Sequence, residues 1–300
     1  MELKLLVLAK QVPDTHNITA EAMKADGTVN RGALPAIFNP EDLNALEMAL
    51  ELNERFGGAV TVMTMGPPRA ANILREALYY GAKHVILITD RAFAGADTLA
   101  TSYTLALAIK KLGKFDLILC GRQAIDGDTA QIGPQVAEKI GFNQITFVDQ
   151  IHDIKNGRIT LSRNLGRSAE KIRTPLPLLI TVPASANQPR SYGAKRIAKY
   201  KKARTRQELR KELLKTNPDS DEKTIDQEAQ KLKQKSLLIE TWSAADLEAD
   251  PNLIGLAGSP TKVNKVSNVV FAASQAKNVE PNEKGIQDLM KELMEEHTFG

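Results

Sequence analysis

The stretch Cys120-Gly121-Arg122-Gln123-Ala124-Ile125-Asp126-Gly127-Asp128-Thr129-Ala130-Gln131-Ile132-Gly133-Pro134 decides how this chain is read. An apolar run over residues 115–120 leads into it, and helical spacing follows from about Thr129, so the segment joins a buried strand to a helix. In open α/β sheets such a turn lies at the carboxyl edge, where glycine-permitted backbone and unpaired helix amides face a ligand crevice. That surface suits a phosphate or pyrophosphate, because a helix N-terminus supplies partial positive charge and convergent donors without a cationic side chain. Thr129 and Gln131 add side-chain hydrogen-bonding groups. Spacing alone equally allows an ordinary turn in which an aspartate caps the helix. A metal site fits less well, since Asp126 and Asp128 supply only a small part of the roughly 6–8 oxygens that calcium takes.

Outward from this stretch, residues 3–10, 59–65, 84–89 and 115–120 are runs rich in Val, Ile and Leu, as strands covered on both faces are. Amphipathic segments 41–56, 70–80 and 97–112 lie between them, the first opened by Asn39-Pro40, where Asn is expected to cap and Pro to occupy the first turn. Gly57-Gly58 and Gly81 are stops. The alternation predicts a doubly wound, mainly parallel α/β sheet of Rossmann-like type. Beyond Gly141, residues 144–151, 158–163 and 178–182 read as extended, with Asn156-Gly157 turning a hairpin.

The chain has 300 residues, 42% of them hydrophobic, enough for one large core with an appendage. Its net charge of +4 carries little information about partners and does not imply nucleic-acid binding. One cysteine excludes an intrachain disulfide and fits a reducing compartment, the cytoplasm being the expectation. No apolar run approaches the roughly 18 residues of a membrane span, so no membrane insertion is expected.

Two further loops follow strands on the same edge: residues 9–15, ending Val12-Pro13-Asp14-Thr15, and Met65-Gly66-Pro67-Pro68. Cys120 reads as a small buried residue, and His16, His84, His152 and His297 are scattered singly, so no catalytic role falls to them. A Walker lysine, a nucleophile elbow and a Gly-x-Gly-x-x-Gly after the first strand are all missing.

Val12–Thr15, Asn39-Pro40 with Asp42 and Ala45-Leu46-Glu47, Met65–Pro68, Gly95-Ala96-Asp97-Thr98-Leu99-Ala100-Thr101-Ser102-Tyr103, Ala124–Pro134 and Gly258-Ser259-Pro260-Thr261, in this order, resemble the β subunits of electron transfer flavoproteins, including FixA-type members. The resemblance implies an adenine-nucleotide-binding domain, an obligatory α subunit carrying its own FAD, and a C-terminal arm on that partner. Within the family the β site holds either AMP or, in the electron-bifurcating group, a second FAD. The wording of residues 12–15, 95–103 and 126–134 is similar to the FAD form. By resemblance, Ala9, Asn39, Gly66, Cys120, Gly127, Asp128, Thr129, Ala130, Gln131 and Ile132 surround the nucleotide, and the implied electron partners are NADH, a low-potential acceptor such as ferredoxin and an acyl-CoA dehydrogenase-type flavoenzyme.

The expected organisation is a nucleotide-binding domain over 1–190, a basic recognition region and charged helical insertion over 191–236, and an arm with a terminal helix over 237–300. The resemblance weakens after Pro189-Arg190. Ser191-Tyr192-Gly193-Ala194 is short there and lacks the family's leucine anchor, leaving Tyr192 or Ile197 as substitutes.

Overall fold

Residues Leu3–Ala9 form β1, whose side chains alternate between two cores: Leu3, Leu5 and Val7 enter one, Leu6 and Leu8 the other. That division follows from the period of two in a strand, and it makes β1 the centre of a sheet packed on both faces. The protein is described here by a computed structural model covering residues 2–14, 34–261 and 278–295.

On one side of β1 lie β4 (Gly58–Met65), β5 (His84–Ile88), β13 (Leu238–Trp242) and the two-residue β12 (Arg204–Thr205); on the other lie β6 (Leu117–Gly121), β11 (Leu178–Val182) and β7 (Asn143–Ile145). Every pairing in this eight-stranded sheet is parallel. Helices α1 (Pro40–Phe56) and α2 (Ala71–Tyr80) pack on one face, α3 (Thr98–Leu112) and α4 (Ile132–Ile140) on the other. The doubly wound fold expected from the alternating pattern is thus present, and the strand order reverses between β1 and β6.

A short ribbon, β2 (Gln11–Pro13) with β3 (Ala36–Phe38), rises from the end of β1, so residues 9–14 are partly strand instead of a simple loop; Thr15 lies outside the described residues. A three-stranded antiparallel sheet of β8 (Val148–Lys155), β9 (Arg158–Asn164) and β10 (Ala169–Pro175) packs its Ile151, Ile154, Ile159 and Leu161 into the α1 side of the core. Asn156 and Gly157 turn the first hairpin, both at positive φ (51° and 70°), as a tight primed turn requires. The single extended segment expected over 144–151 is in fact two strands. Phe147 at φ 60° breaks it, sending β7 to the parallel sheet and β8 to the antiparallel one.

The expected domain boundary at 190 falls inside one compact unit that runs to Lys262. Its edge strands β12 and β13 come from beyond that point, and the charged region supplies α5 (Ala194–Tyr200), α6 (Arg206–Thr216) and α7 (Glu222–Gln234), with α6 anchored by buried Leu209 and α7 by Ile225 and Ala229. Residues 238–261 likewise belong to this unit, burying Trp242, Leu247 and Ile254 against α3 and β5. Helix α8 (Glu283–Glu295) belongs to a second unit, 263–300, and exposes Ile286, Met290 and Met294. Among the described residues no helix is long and apolar enough to cross a membrane.

Candidate nucleotide crevice

The carboxyl ends of β1 and β6 flank the reversal of strand order, the position at which doubly wound sheets form a ligand crevice. Three polar side chains at the start of α1 hold this place together. Asp42 is buried and straddles it: one carboxylate oxygen accepts the Lys10 amide at 2.8 Å, just past β1, and the other accepts the Gly121 amide at 2.8 Å, at the end of β6. A Cβ on Gly121 would stand 2.6 Å from that second oxygen, so only glycine admits the contact. Burial pushes the Asp42 carboxyl up to about 7, partly opposed by the Gly121 and Lys10 amides, by Asn39 and by the Lys10 charge.

Asn39 does not cap α1 as its position suggested. Its fully buried amide donates to the Gln123 carbonyl at 2.9 Å and accepts the Ile125 amide at 3.1 Å. Glu41 accepts the Gln123 amide at 2.8 Å and pairs with Arg122 at 3.0 Å, whose guanidinium lies 5.7 Å from the Phe147 ring. Residues 121–125 are therefore fastened through the backbone groups of Gly121, Gln123 and Ile125 and through the Arg122 side chain. Downstream, Lys10 Nζ pairs with Asp126 at 2.7 Å and Gln123 Nε2 donates to Asp128 at 2.9 Å. Both aspartates are thus engaged, and among the described residues no group of three or more potential ligands could hold a metal.

The chain then turns through Asp128 (φ 49°) and Ala130 (φ 52°), and α4 begins at Ile132, three residues later than the spacing suggested. Gly127 through Gln131 are exposed, a Cβ on Gly127 would meet nothing within 4 Å, and among the described residues the Thr129, Ala130 and Gln131 amides find no acceptor. Thr98 Oγ1 donates to Gln131 Oε1 at 2.7 Å and Ser102 Oγ to Gln135 Oε1 at 3.0 Å, tying this turn to α3. Asp97 caps α3 at Leu99 and Ala100, and its second oxygen accepts the Thr261 amide at 3.0 Å while its own amide donates to Ser259 Oγ at 2.8 Å. Residues 95–103 and 258–261, far apart in sequence, thus meet.

Of the ten residues expected at the nucleotide, Ala9 ends β1, Gly66 follows β4, Cys120 stands in β6, 127–131 form the exposed turn and half-buried Ile132 opens α4, all on one edge. Asn39 reaches that edge from beneath. The Cys120 side chain is buried: its sulfur packs under α4, where a Cβ on Gly133 would meet it at 2.9 Å, and burial pushes the thiol up. Glu41 and Arg122 were not read from the sequence, because an acid in a first helical turn ordinarily serves the helix dipole. Tyr192, proposed as an anchor, lies edge-on to Tyr79 at 5.6 Å and donates to Glu76 at 3.1 Å, remaining 42% exposed. The donors of the 127–132 turn and the open space above Gly127 fit a phosphate-bearing nucleotide.

Comparison with known proteins identifies the family. The electron transfer flavoprotein domain family matches residues 26–210. Electron transfer flavoprotein subunit beta of Clostridium acetobutylicum is 37% identical over 295 residues, 98% of this chain and 99% of that one. Protein FixA of Bradyrhizobium diazoefficiens is 40% identical over 292 residues (95% and 89%), and the Caffeyl-CoA reductase-Etf complex subunit CarD of Acetobacterium woodii is 48% identical over 189 (63% and 71%). The chain belongs to the electron transfer flavoprotein family, on its β-subunit, FixA branch.

Proposed function

We propose that the chain binds FAD in the crevice between β1 and β6 and works, paired with an α subunit, as the half of an electron-bifurcating flavoprotein that faces NADH. The supporting observation is the exposed turn at 127–131, where among the described residues the Thr129, Ala130 and Gln131 amides find no acceptor and a Cβ on Gly127 would meet nothing within 4 Å, while Asn39, Glu41 and Asp42 fix the backbone that leads into it. A pyrophosphate on these amides needs no cationic side chain, and Lys10 is already committed to Asp126. Gly66 and Ala9 would let the backbone edge approach the nucleotide closely.

Bound flavin would supply the hydride and single-electron chemistry. The chain's own contribution is positional: the clasp from α1 holds the 121–125 backbone, the Thr98–Gln131 and Ser102–Gln135 hydrogen bonds couple α4 to α3, and the 258–261 loop covers the start of α3 through Asp97. The likeness to a subunit of a caffeyl-CoA reductase–Etf complex supports an acyl-CoA dehydrogenase-type flavoenzyme as electron partner, with a low-potential acceptor such as ferredoxin on the second route. The working compartment under this reading is the cytoplasm.

The test is to co-purify the chain with its α subunit, denature the heterodimer and quantify released nucleotides. Close to two FAD per heterodimer is the expected result. One FAD with one AMP would instead make this chain a structural, non-bifurcating β subunit that passes dehydrogenase electrons towards a quinone reductase.

A further inference from the structure

At the opposite edge of the sheet, where strands begin, the surface opens into a cavity of about 430 Å³. The start of β4 at Gly58 and Ala59, with Leu78 of α2, forms an apolar part of its lining. Lys83, which precedes β5, and Lys195, Arg196 and Lys199 of α5 line it as well, with no aspartate or glutamate among the lining residues. Among the described residues none of these four cations enters an ion pair. Arg196 donates to the Tyr80 carbonyl at 2.8 Å, which holds its guanidinium beside Gly81, and Lys199 Nζ sits 4.7 Å from the Tyr200 ring centre.

Asn53, in the last turn of α1, adds a neutral residue to the same lining. Cations that line one cavity with no acid in its lining raise the local concentration of anions, and guanidinium and ammonium groups bind phosphate oxygens by charge-assisted hydrogen bonds. The volume falls in the range of small-molecule sites, roughly 300–1,000 Å³, and the lining joins an apolar part to a cationic one.

We propose that this cavity is a second ligand site, for a phosphorylated small molecule with an apolar or aromatic body. The site is separate from the nucleotide crevice. The eight residues of β4 lie between the two edges, a span of about 26 Å at roughly 3.3 Å per residue. The inference therefore stands or falls apart from the identity of the crevice nucleotide.

Phenyl phosphate is a suitable probe, titrated calorimetrically into the heterodimer with its α subunit, alongside inorganic phosphate. Saturable binding of one phenyl phosphate is expected, weakened about tenfold in Lys83→Gln/Lys199→Gln and unchanged in the crevice variant Thr129→Glu. Lys195→Gln alone, at another exposed position, should weaken it in the same direction, and circular dichroism checks that each variant is folded. No saturable binding, binding indifferent to the cavity substitutions, or binding lost in Thr129→Glu would overturn the proposal. So would failure to bind phosphate combined with slower reduction by the partner flavoenzyme in the cavity variants, which would make the cations a seat for an acidic protein surface.

Discussion

Asp42 accepts the Gly121 amide with one carboxylate oxygen and the Lys10 amide with the other, so a single buried acid joins the ends of the two strands between which the sheet reverses. Burial raises its pKa to about 7, against about 3.9 in an unfolded chain. Between those values the folded chain holds a proton that the unfolded chain has released. The contribution of this proton to stability is therefore complete below about pH 4 and is lost as pH rises through about 7.

Asp42→Asn removes that titration and exchanges one acceptor for an amide that cannot accept from Lys10. The variant should be less stable than the parent near pH 5, with the gap narrowing by about pH 8 as the parent loses its bound proton. Urea unfolding of both proteins across this range measures the gap. A gap that stayed constant or widened would mean that Asp42 is ionised throughout.

Much of this arrangement was legible in the chain itself. The consecutive apolar positions of β1, β4, β5 and β6 announce strands buried on both faces, and Asn156-Gly157 announces its hairpin through the backbone that both residues tolerate. β10 gave no such signal, because Ala169–Pro175 is charged and largely exposed and is held by its ladder to β9. Two residues, as in β12, are too few to show a period. Asn39 is the instructive case. A polar side chain before Pro40 looks the same whether it caps its own helix or holds a loop 84 residues away, and only the fold brings Gln123 within reach. The meeting of Asp97 with Ser259 and Thr261 is hidden for the same reason.

Gly133 bears on the placement of α4. A Cβ there would stand 2.8 Å from Thr181 Cγ2 and 2.9 Å from Cys120 Sγ, so Gly133→Ala must push the helix off β6 and β11 or strain both side chains. The expected cost is about 1–3 kcal/mol, as for other overpacked cores. Thr181→Ser deletes the obstructing methyl and keeps the hydroxyl that accepts the Phe147 amide, and should recover part of the loss when combined with Gly133→Ala. Thermal unfolding of the single and double variants gives the comparison; absence of any recovery would place the obstruction at Cys120 alone.

Asp97 titrates in the opposite sense to Asp42. Partial burial by itself would raise its pKa, but the amides of Ala100, Thr261 and Leu99 and the Ser259 hydroxyl outweigh that and hold it below the usual range. Its contribution is present above the unfolded value of about 3.9 and is lost as pH falls through the lower folded one. Asp97→Ala removes the α3 cap, at about 0.5–2 kcal/mol, together with the acceptor for Thr261. Hydrogen exchange should then quicken at Leu99, Ala100 and Thr261 while the amides of β1 and β4 stay protected. Unchanged exchange at Thr261 would show that the 255–261 loop is held by Ile254 and Ser259 without Asp97.

Thr129 and Gln131 address the crevice directly. Both are exposed, and Thr129 stands between two left-handed residues, in the turn whose amides find no acceptor among the described residues. Thr129→Glu with Gln131→Glu adds two carboxylates beside the proposed phosphates, and like charge at hydrogen-bonding distance opposes an anion without disturbing the buried clasp of Asn39, Glu41 and Asp42. The Gln131 change also ends the acceptance from Thr98, so Gln131→Ala serves as the control that breaks this tie without adding charge. The double variant purified with its α subunit should lose the nucleotide of the β crevice, read as one nucleotide fewer per heterodimer after denaturation, while Gln131→Ala retains it. Full retention in the double variant, with the fold intact by circular dichroism, would move the phosphate site away from residues 127–132.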